Sequence, residues 1–280
     1  MQGFEKINVV RRARNSKTGL EEIAVGSYEL AALCYFQRMN QEFEKAIKKT
    51  FNTFGLEITR KWNSPTGNMP SFLSDLKKRG LKCNAALDVG AYKGWFSYLT
   101  AEVFPDATFY LFEPLIEMQE ELGAFCEQHP KSKYFSIALG PVDESLSLRT
   151  FRDLKWSGFM DVDIPAKDER TPRIVEVRKI DTLLQENKIQ IPDLVKIDVQ
   201  GYELEVLKGA EALFGKTEVF ILEASLHNKH PSFPLFADVV AFMNARDYVV
   251  FDFPGFLRQP DSSLIECDVC FVKRNSFLRK

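Results

Sequence analysis

Features that would direct a protein to a membrane, out of the cell or onto nucleic acid are missing from this sequence. Its 280 residues contain no apolar run long enough to span a bilayer, and the N-terminal residues contain no stretch typical of a signal peptide. The formal net charge is only −2, so charge gives no reason to expect binding to nucleic acid or to an anionic membrane. We therefore expect a cytoplasmic protein with no membrane span and no nucleic-acid partner.

Cysteine is scarce, and its pattern argues against disulfides and metal binding. The five cysteines are an odd number and are scattered along the chain, which predicts reduced thiols in a cytosol-like compartment. Cys267 and Cys270 form a single C-x-x-C pair in an alternating run typical of a strand, where positions three apart face opposite sides. We expect both side chains to pack in the core, and no metal site is predicted.

A glycine-containing turn between a buried strand and a helix lacks the dinucleotide fingerprint G-x-G-x-x-G. Residues 88–94 are D-V-G-A-Y-K-G, with an acid before the first glycine and no central glycine to approach a pyrophosphate. Gly90 and Gly94 allow a tight turn and close approach of a ligand, and the next helix directs its first amides into the same space. Asp88 suits a cofactor that presents an ammonium group, as the methionine part of S-adenosylmethionine does. The alternative is a strand–turn–helix unit without a ligand.

A second acidic residue supports a nucleoside cofactor. Glu113 ends the apolar strand 108–112 and lies 25 residues after Asp88. An acid one strand–helix–strand unit after a glycine turn is where a ribose diol is bound. The two carboxylates together predict a ribose-containing cofactor, and the turn favours S-adenosylmethionine over a dinucleotide.

The chain from about residue 80 onward alternates apolar strands with helices, which predicts a mainly parallel sheet covered on both faces. We expect residues 1–80 to form an N-terminal extension and residues 81–280 to form the α/β domain. The last two strands are joined without a helix, so the last is expected to run antiparallel. Short extra strands are predicted between residues 141 and 180. The main predicted strands are 85–89, 108–112, 134–139, 194–199, 219–222, 248–253 and 266–272.

The extension is predicted to be helical because of one amphipathic stretch. Residues 1–26 are polar and are expected to be irregular, whereas Ser27 would cap a helix that runs to about Phe54. We expect its apolar stripe to pack on the domain, with a homodimer interface or a lid over the substrate as the alternatives. The stripe repeats every three or four residues: Phe36, Met39, Phe43, Ile47 and Phe51.

The most distinctive segment is residues 193–210, D-L-V-K-I-D-V-Q-G-Y-E-L-E-V-L-K-G-A. It predicts a strand that contains Lys196 and ends at Asp198, a turn at Gly201 and a helix that begins at Glu203. Charged groups at the carboxyl end of a strand lie where open α/β sheets bind ligands. A functional role is favoured for Asp198. For Lys196 and Glu203, an ion-pair network that orders the turn is an equal alternative.

Together these motifs resemble the FkbM family of class I S-adenosylmethionine-dependent methyltransferases. The resemblance covers residues 80–255 and includes D-V-G-A-Y-K-G, F-E-P, A-L-G, V-R-K-I-D-T-L-L and L-V-K-I-D-V-Q-G-Y-E-L-E-V-L-K-G-A. Many family members have asparagine where this chain has Tyr92. The resemblance implies an α/β, Rossmann-like class I methyltransferase fold with a seven-stranded sheet. It also implies O-methylation of a hydroxyl on a sugar, a glycan or glycolipid, or a secondary metabolite.

The resemblance assigns roles by motif position. Asp198, His227 and Glu223 are candidates for the base that takes the acceptor's proton, and His227 is chosen because imidazole is the usual base near neutral pH. Residues predicted to contact the substrate are Trp156, Ser157, Glu203 and Glu223. Residues predicted to bind S-adenosylmethionine are Asp88, Gly90, Tyr92 and Gly94 for its methionine end, Glu113 for its ribose, and Ser136 to Ala138 for its adenine.

Two other functions stay open. One is a methyltransferase-like protein that binds the cofactor without catalysis and acts through its N-terminal helix. The other is a nicotinamide-dependent oxidoreductase, which the missing central glycine disfavours.

Overall fold

A computed structural model describes residues 65–159, 168–227 and 233–280, together with the backbone of three N-terminal strands. The chain divides into two compact units, residues 1–64 and 65–280. In the described parts of the chain, no helix is both long and apolar enough to cross a membrane. The domain boundary predicted near residue 80 stays a prediction.

The N-terminal unit contains strands β1 (Ile7–Asn15), β2 (Gly19–Tyr28) and β3 (Leu56–Thr59), in the order β2-β1-β3. β1 pairs antiparallel with both neighbours. The expectation of an irregular chain up to residue 26 is therefore wrong. Backbone pairing does not need an alternating apolar face, so these polar strands carry no periodic signal. Apart from Ser27 and Tyr28, which belong to β2, the predicted helix and its homodimer interface lie outside the described residues.

Seven strands form the central sheet of the second unit, in the order β12-β13-β11-β10-β4-β5-β6. The strand pairs from β11 to β6 are parallel, whereas β13 runs antiparallel to both β11 and β12. The predicted sheet with an antiparallel last strand is therefore confirmed. The strands are β4 (Ala85–Val89), β5 (Thr108–Phe112), β6 (Lys133–Phe135), β10 (Leu194–Ile197), β11 (Val219–Ser225), β12 (Tyr248–Arg258) and β13 (Leu264–Lys273).

Helices cover both faces of this sheet. An apolar cluster on one face includes residues of α1 (Met69–Lys78), α2 (Trp95–Val103) and α3 (Gln119–Gln128). A second cluster includes residues of α4 (Ile180–Gln185), α5 (Glu203–Lys208) and α6 (Phe236–Asn244). Every residue of β4 and β10 is buried, which explains why these strands are near-continuous apolar runs in the sequence.

The segment predicted as one strand over 134–139 is two strands in different sheets. β6 joins the central sheet, whereas β7 (Ala138–Leu139) pairs with β9 (Glu169–Arg178) in a small sheet that also contains β8 (Glu144–Phe151). The single strand is wrong because Ser136 and Ile137 leave the extended ladder between the two pairings. The short extra strands predicted between 141 and 180 are confirmed.

Candidate functional site

A cavity of about 540 Å³ opens at the carboxyl ends of β4, β5, β10 and β11. Part of its wall comes from β13 and from the insertion that contains the small sheet. This volume falls within the range of small-molecule and cofactor sites, about 300–1,000 Å³. The position at the carboxyl edge is the usual ligand site of an open α/β sheet.

Asp88 is the second-to-last residue of β4, directly before the glycine-containing turn, with 3% of its surface exposed. Its Oδ2 accepts a 2.6 Å hydrogen bond from Ser97 Oγ on α2. Burial raises the pKa of Asp88 to about 6, although the Ser97 hydrogen bond and the charge of Lys196 act in the opposite direction. The carboxyl group therefore gains its charge readily when a cationic ligand group approaches it.

The turn itself is packed against two neighbouring strands. The amides of Gly90 and Ala91 donate to Phe112 O on β5, at 2.9 and 3.1 Å. Gly90 has φ +77°, and a Cβ there would lie 1.9 Å from the carbonyl oxygen of Asp198. Gly90 is thus needed for the approach of the backbone after β10 as well as for the turn. Gly94, at φ +76°, precedes α2 and does not line the cavity.

Glu113 connects this turn to the end of β5. Its Oε2 accepts from the Tyr92 amide and its Oε1 from the Leu115 amide, both at 2.9 Å. Burial raises the pKa of Glu113 to about 7, partly offset by these two hydrogen bonds. Tyr92 has φ +46°, a left-handed conformation that asparagine adopts more readily than tyrosine.

A buried lysine on β10, the strand beside β4, holds two carboxylates in the cavity wall. Lys196 is 4% exposed, and its Nζ lies 3.0 Å from Asp198 Oδ2 and 3.1 Å from Asp268 Oδ1. Burial would lower the pKa of Lys196, but the carboxylates of Asp198, Asp268 and Glu223 outweigh it and raise that pKa. Burial would likewise raise the pKa of Asp198, but Lys196 and its hydrogen-bond donors hold that pKa below the ordinary value.

Gln200 bridges Asp198 to a further carboxyl group. Its Nε2 lies 3.3 Å from Asp198 Oδ1 and 3.1 Å from Glu223 Oε2. Gln200 has φ +56°, a second left-handed position beside the cavity. Burial raises the pKa of Glu223 well above its ordinary value, and the charges of Asp198 and Glu266 raise it further.

Glu203 is buried and bonds to backbone amides of the loop that precedes α5. It is 2% exposed, and its Oε1 accepts from the amides of Val199 and Gly201 at 3.0 and 3.1 Å. Burial raises its pKa to about 7. Glu203 does not line the cavity, so its assignment as a substrate contact stays a prediction.

The insertion supplies the remaining wall. A 3₁₀ turn, Leu154–Trp156, is capped by Asp153, whose Oδ1 accepts from the Lys155 amide. Trp156 is 37% exposed and lines the cavity. Next to it, Ser157 Oγ is buried and has no hydrogen-bond partner among the described residues. A buried hydroxyl without a partner is costly and is satisfied when a ligand bonds to it.

The structure brings most of the predicted site residues to one cavity. Those that line it are Asp88, Gly90, Tyr92, Glu113, Ala138, Trp156, Ser157, Asp198 and Glu223. Gly94, Ser136, Glu203 and His227 do not. Ser136 is exposed beyond β6. His227 is exposed, with its Nε2 3.0 Å from Leu264 O.

The cavity wall also contains polar side chains that were not predicted from the sequence, among them Gln200, Glu266 and Asp268. Gln200 lies inside the distinctive segment, where its place two residues after Asp198 and directly before Gly201 was an available signal. Glu266 and Asp268 lie on β13, opposite Ser225 and Glu223. Only the pairing of β13 with β11 brings them to the site.

The strand order, with a ligand-sized cavity at the carboxyl edge of the sheet, is that of a Rossmann-like α/β fold of the class I methyltransferase type. Residues 88–250 match the family model described as the Methyltransferase FkbM domain. Because the match spans more than half of the chain, the protein belongs to the FkbM methyltransferase family.

Comparison with solved structures gives distant similarity. Methyltransferase FkbM from Methylobacillus flagellatus KT has 17% identity and a TM-score of 0.43; the match covers 67% of this chain but only 44% of that one. The O-methyltransferase TomG from Streptomyces achromogenes, solved in complex with SAM, has 13% identity and a TM-score of 0.42; the match covers 86% of this chain and 95% of TomG. A Burkholderia thailandensis 1,6-didemethyltoxoflavin-N1-methyltransferase has 10% identity and a TM-score of 0.42; the match covers 95% of this chain and 100% of that enzyme. A comparison with curated proteins gives no significant match.

Proposed function

We propose that the protein uses S-adenosylmethionine to methylate a hydroxyl on a sugar, a glycan or glycolipid, or a secondary metabolite. The observation that carries this proposal is the placement of Asp88 and Glu113 at the ends of adjacent strands, in the wall of one cavity. A carboxylate at each position suits two groups of such a cofactor, the ammonium of its methionine part and the diol of its ribose.

The charge of the cavity wall also fits this cofactor. Among the described residues, six carboxyl groups line the cavity besides Glu113, against two lysines, Lys155 and Lys196. The six are Asp88, Asp153, Asp198, Glu223, Glu266 and Asp268. This excess of acid favours a positively charged ligand. When bound, S-adenosylmethionine supplies a methyl group on a sulfonium that departs as a neutral thioether. The residues proposed to hold it are Asp88, Gly90, Tyr92 and Glu113, with Ala138 beside the adenine.

Two contributions of the chain support transfer to a hydroxyl. The residues around the cavity fix the acceptor in line with the methyl carbon, and a carboxylate takes the proton that the hydroxyl loses. Asp198 and Glu223 line the side of the cavity opposite Glu113, where such a group is needed. Trp156 offers an aromatic face on which a sugar ring can stack. The cytoplasmic location and homodimerisation through the N-terminal helix stay predictions.

Thermal unfolding with different ligands tests the cofactor. At a hundredfold excess over Kd, a ligand stabilises the folded state by about 2.7 kcal/mol, which raises Tm by roughly 5–10 °C for a domain of this size. We expect this rise with S-adenosylmethionine and S-adenosylhomocysteine but not with NAD⁺. No rise at millimolar S-adenosylmethionine would contradict the proposal, and a rise with NAD⁺ alone would favour the oxidoreductase.

Glu113→Gln tests the ribose contact with little change in side-chain size. It should weaken cofactor binding by about 1.5–3 kcal/mol, the usual worth of hydrogen bonds to a charged group. Glu205→Gln is the matched control, because Glu205 lies outside the cavity and pairs with Lys208 at 2.6 Å. Equal cofactor affinity in the two variants would show that Glu113 does not bind the cofactor.

Transfer is tested with S-adenosylmethionine that carries a labelled methyl group, incubated with fractionated glycans, glycolipids and small metabolites from the source organism. A labelled methyl ether in one fraction identifies the acceptor class. Label on a nitrogen, a carbon or nucleic acid would contradict O-methylation of these substrates. Cofactor binding with no labelled product in any fraction would favour the cofactor-binding protein without catalysis.

A further inference from the structure

Asp198 and Glu223 form a pair of carboxyl groups with unequal partners. Lys196 Nζ lies 3.0 Å from Asp198 Oδ2, and Gln200 Nε2 lies 3.3 Å from Asp198 Oδ1, so both oxygens of Asp198 accept a hydrogen bond. Glu223 accepts from Gln200 through Oε2, at 3.1 Å. The carboxyl group of Glu223 also lies within hydrogen-bonding reach of Asp198.

The charged groups that face Glu223 come from every neighbouring element. Among the described residues, the strongest of these influences are acidic, and Lys196 is the positive group among them. They are Lys196 and Asp198 at the end of β10, Glu203 at the start of α5, and Glu266 and Asp268 on β13. Two carboxyl groups that share one amide donor do not ionise together readily. Because Lys196 contacts Asp198, the negative charge belongs on Asp198 and the proton on Glu223.

This division separates the roles of the two groups. Asp198 has both oxygens engaged and its pKa lowered, so it is a weak base. The raised pKa of Glu223 makes it the stronger base once its proton has left. A positive charge that enters the cavity favours that loss, because it stabilises the second carboxylate.

On this basis, and resting on the proposed function, we propose that Glu223 is the catalytic base. Gln200 is a positioning residue that holds Glu223 beside Asp198. The entry of a cationic ligand displaces the proton of Glu223 to solvent. In the transfer step the acceptor O–H bond breaks and its proton bonds to a carboxylate oxygen of Glu223. The freed pair on the acceptor oxygen forms the bond to the methyl carbon, and the pair of the broken carbon–sulfur bond leaves with sulfur.

Proton release on ligand binding tests this without any acceptor. Calorimetric titrations with S-adenosylmethionine and S-adenosylhomocysteine, each in two buffers of different ionisation enthalpy, give the number of protons released. Only the first ligand has the fixed positive charge. We expect S-adenosylmethionine to release up to about one proton more than S-adenosylhomocysteine near neutral pH. Glu223→Gln, of nearly the same size, should abolish the difference.

Gln200→Gly separates positioning from a structural role. Glycine adopts φ +56° without strain, so this variant should keep the backbone of the loop. Loss of the amide removes a donor that favours the ionised form of Glu223, so the release should move to higher pH. Asn187→Gly is the matched control, because Asn187 also has φ +56° but is exposed and does not line the cavity. It should leave the release unchanged.

The outcomes are distinguishable. If neither ligand binds, the proposed function fails and this inference falls with it. If both bind with equal proton release, or if the difference survives in Glu223→Gln, the proposed function stands and Glu223 is not the group that holds the proton. If Gln200→Gly folds and its release keeps the pH dependence of the parent chain, Gln200 is not a positioning residue.

Discussion

Replacement of Gly90 by alanine should be among the most damaging single-methyl changes in this domain. Gly90 has φ +77°, and the new Cβ would lie 1.9 Å from Asp198 O and 2.9 Å from its carbonyl carbon. Both atoms are backbone, held by the 2.9 Å bond from the Asp198 amide to Val89 O. A left-handed alanine costs about 1–2 kcal/mol, and forced overpacking adds about 1–3 kcal/mol. We expect a loss of about 2–5 kcal/mol in the free energy of unfolding.

Gly215→Ala is the matched control for this change. Gly215 has φ +78°, nearly the same conformation, but nothing lies within 4 Å of its added Cβ. It should lose only the conformational part, about 1–2 kcal/mol. Urea unfolding followed by far-ultraviolet circular dichroism compares both variants with the parent chain. If Gly90→Ala is no less stable than Gly215→Ala, the Asp198 carbonyl does not approach the turn, and the derived geometry of the site is wrong.

Three further predictions concern stability. The pKa of Glu113 is raised to about 7, so the stability that its protonated form contributes is complete below about pH 4.5 and is lost as pH rises through 7. The free energy of unfolding should therefore be lower at pH 8 than at pH 5, and a higher value at pH 8 would contradict this. Asp181 accepts from two amides at the start of the 3₁₀ turn Glu211–Leu213, so Asp181→Ala should cost about 1 kcal/mol in urea unfolding. Arg173→Ala breaks a partly exposed ion pair with Glu117 and should lower the free energy of unfolding by less than about 1 kcal/mol, and by less still in high salt. A larger loss that does not depend on salt would show that the ion pair is shielded from solvent.

The strands whose ends form the cavity could be predicted from local patterns. β4, β5 and β10 are short apolar runs because they are buried on both faces. The acids that end or follow them, Asp88, Glu113 and Asp198, had to lie at one edge once the strands were parallel. That inference needs only strand direction and order.

Elements whose partners are distant in sequence could not be placed in this way. The run after β6 was predicted as one strand because its residues fit an extended ladder, but β7 pairs with β9 about forty residues later. The polar strands β1 and β2 were missed because their pairing leaves no apolar period. His227 has a plausible position after β11, yet its ring contacts Leu264 O outside the cavity.

What the sequence determined by itself was the class of fold, the family and the position of the glycine-containing turn, because each depends on contiguous segments of the chain. The electrostatics around Lys196 were decided only by the tertiary structure. β13 inserts antiparallel between β11 and β12 and places Asp268 3.1 Å from Lys196. Which carboxyl group holds a proton depends on such distances, and these follow from strand register and burial rather than from the order of residues.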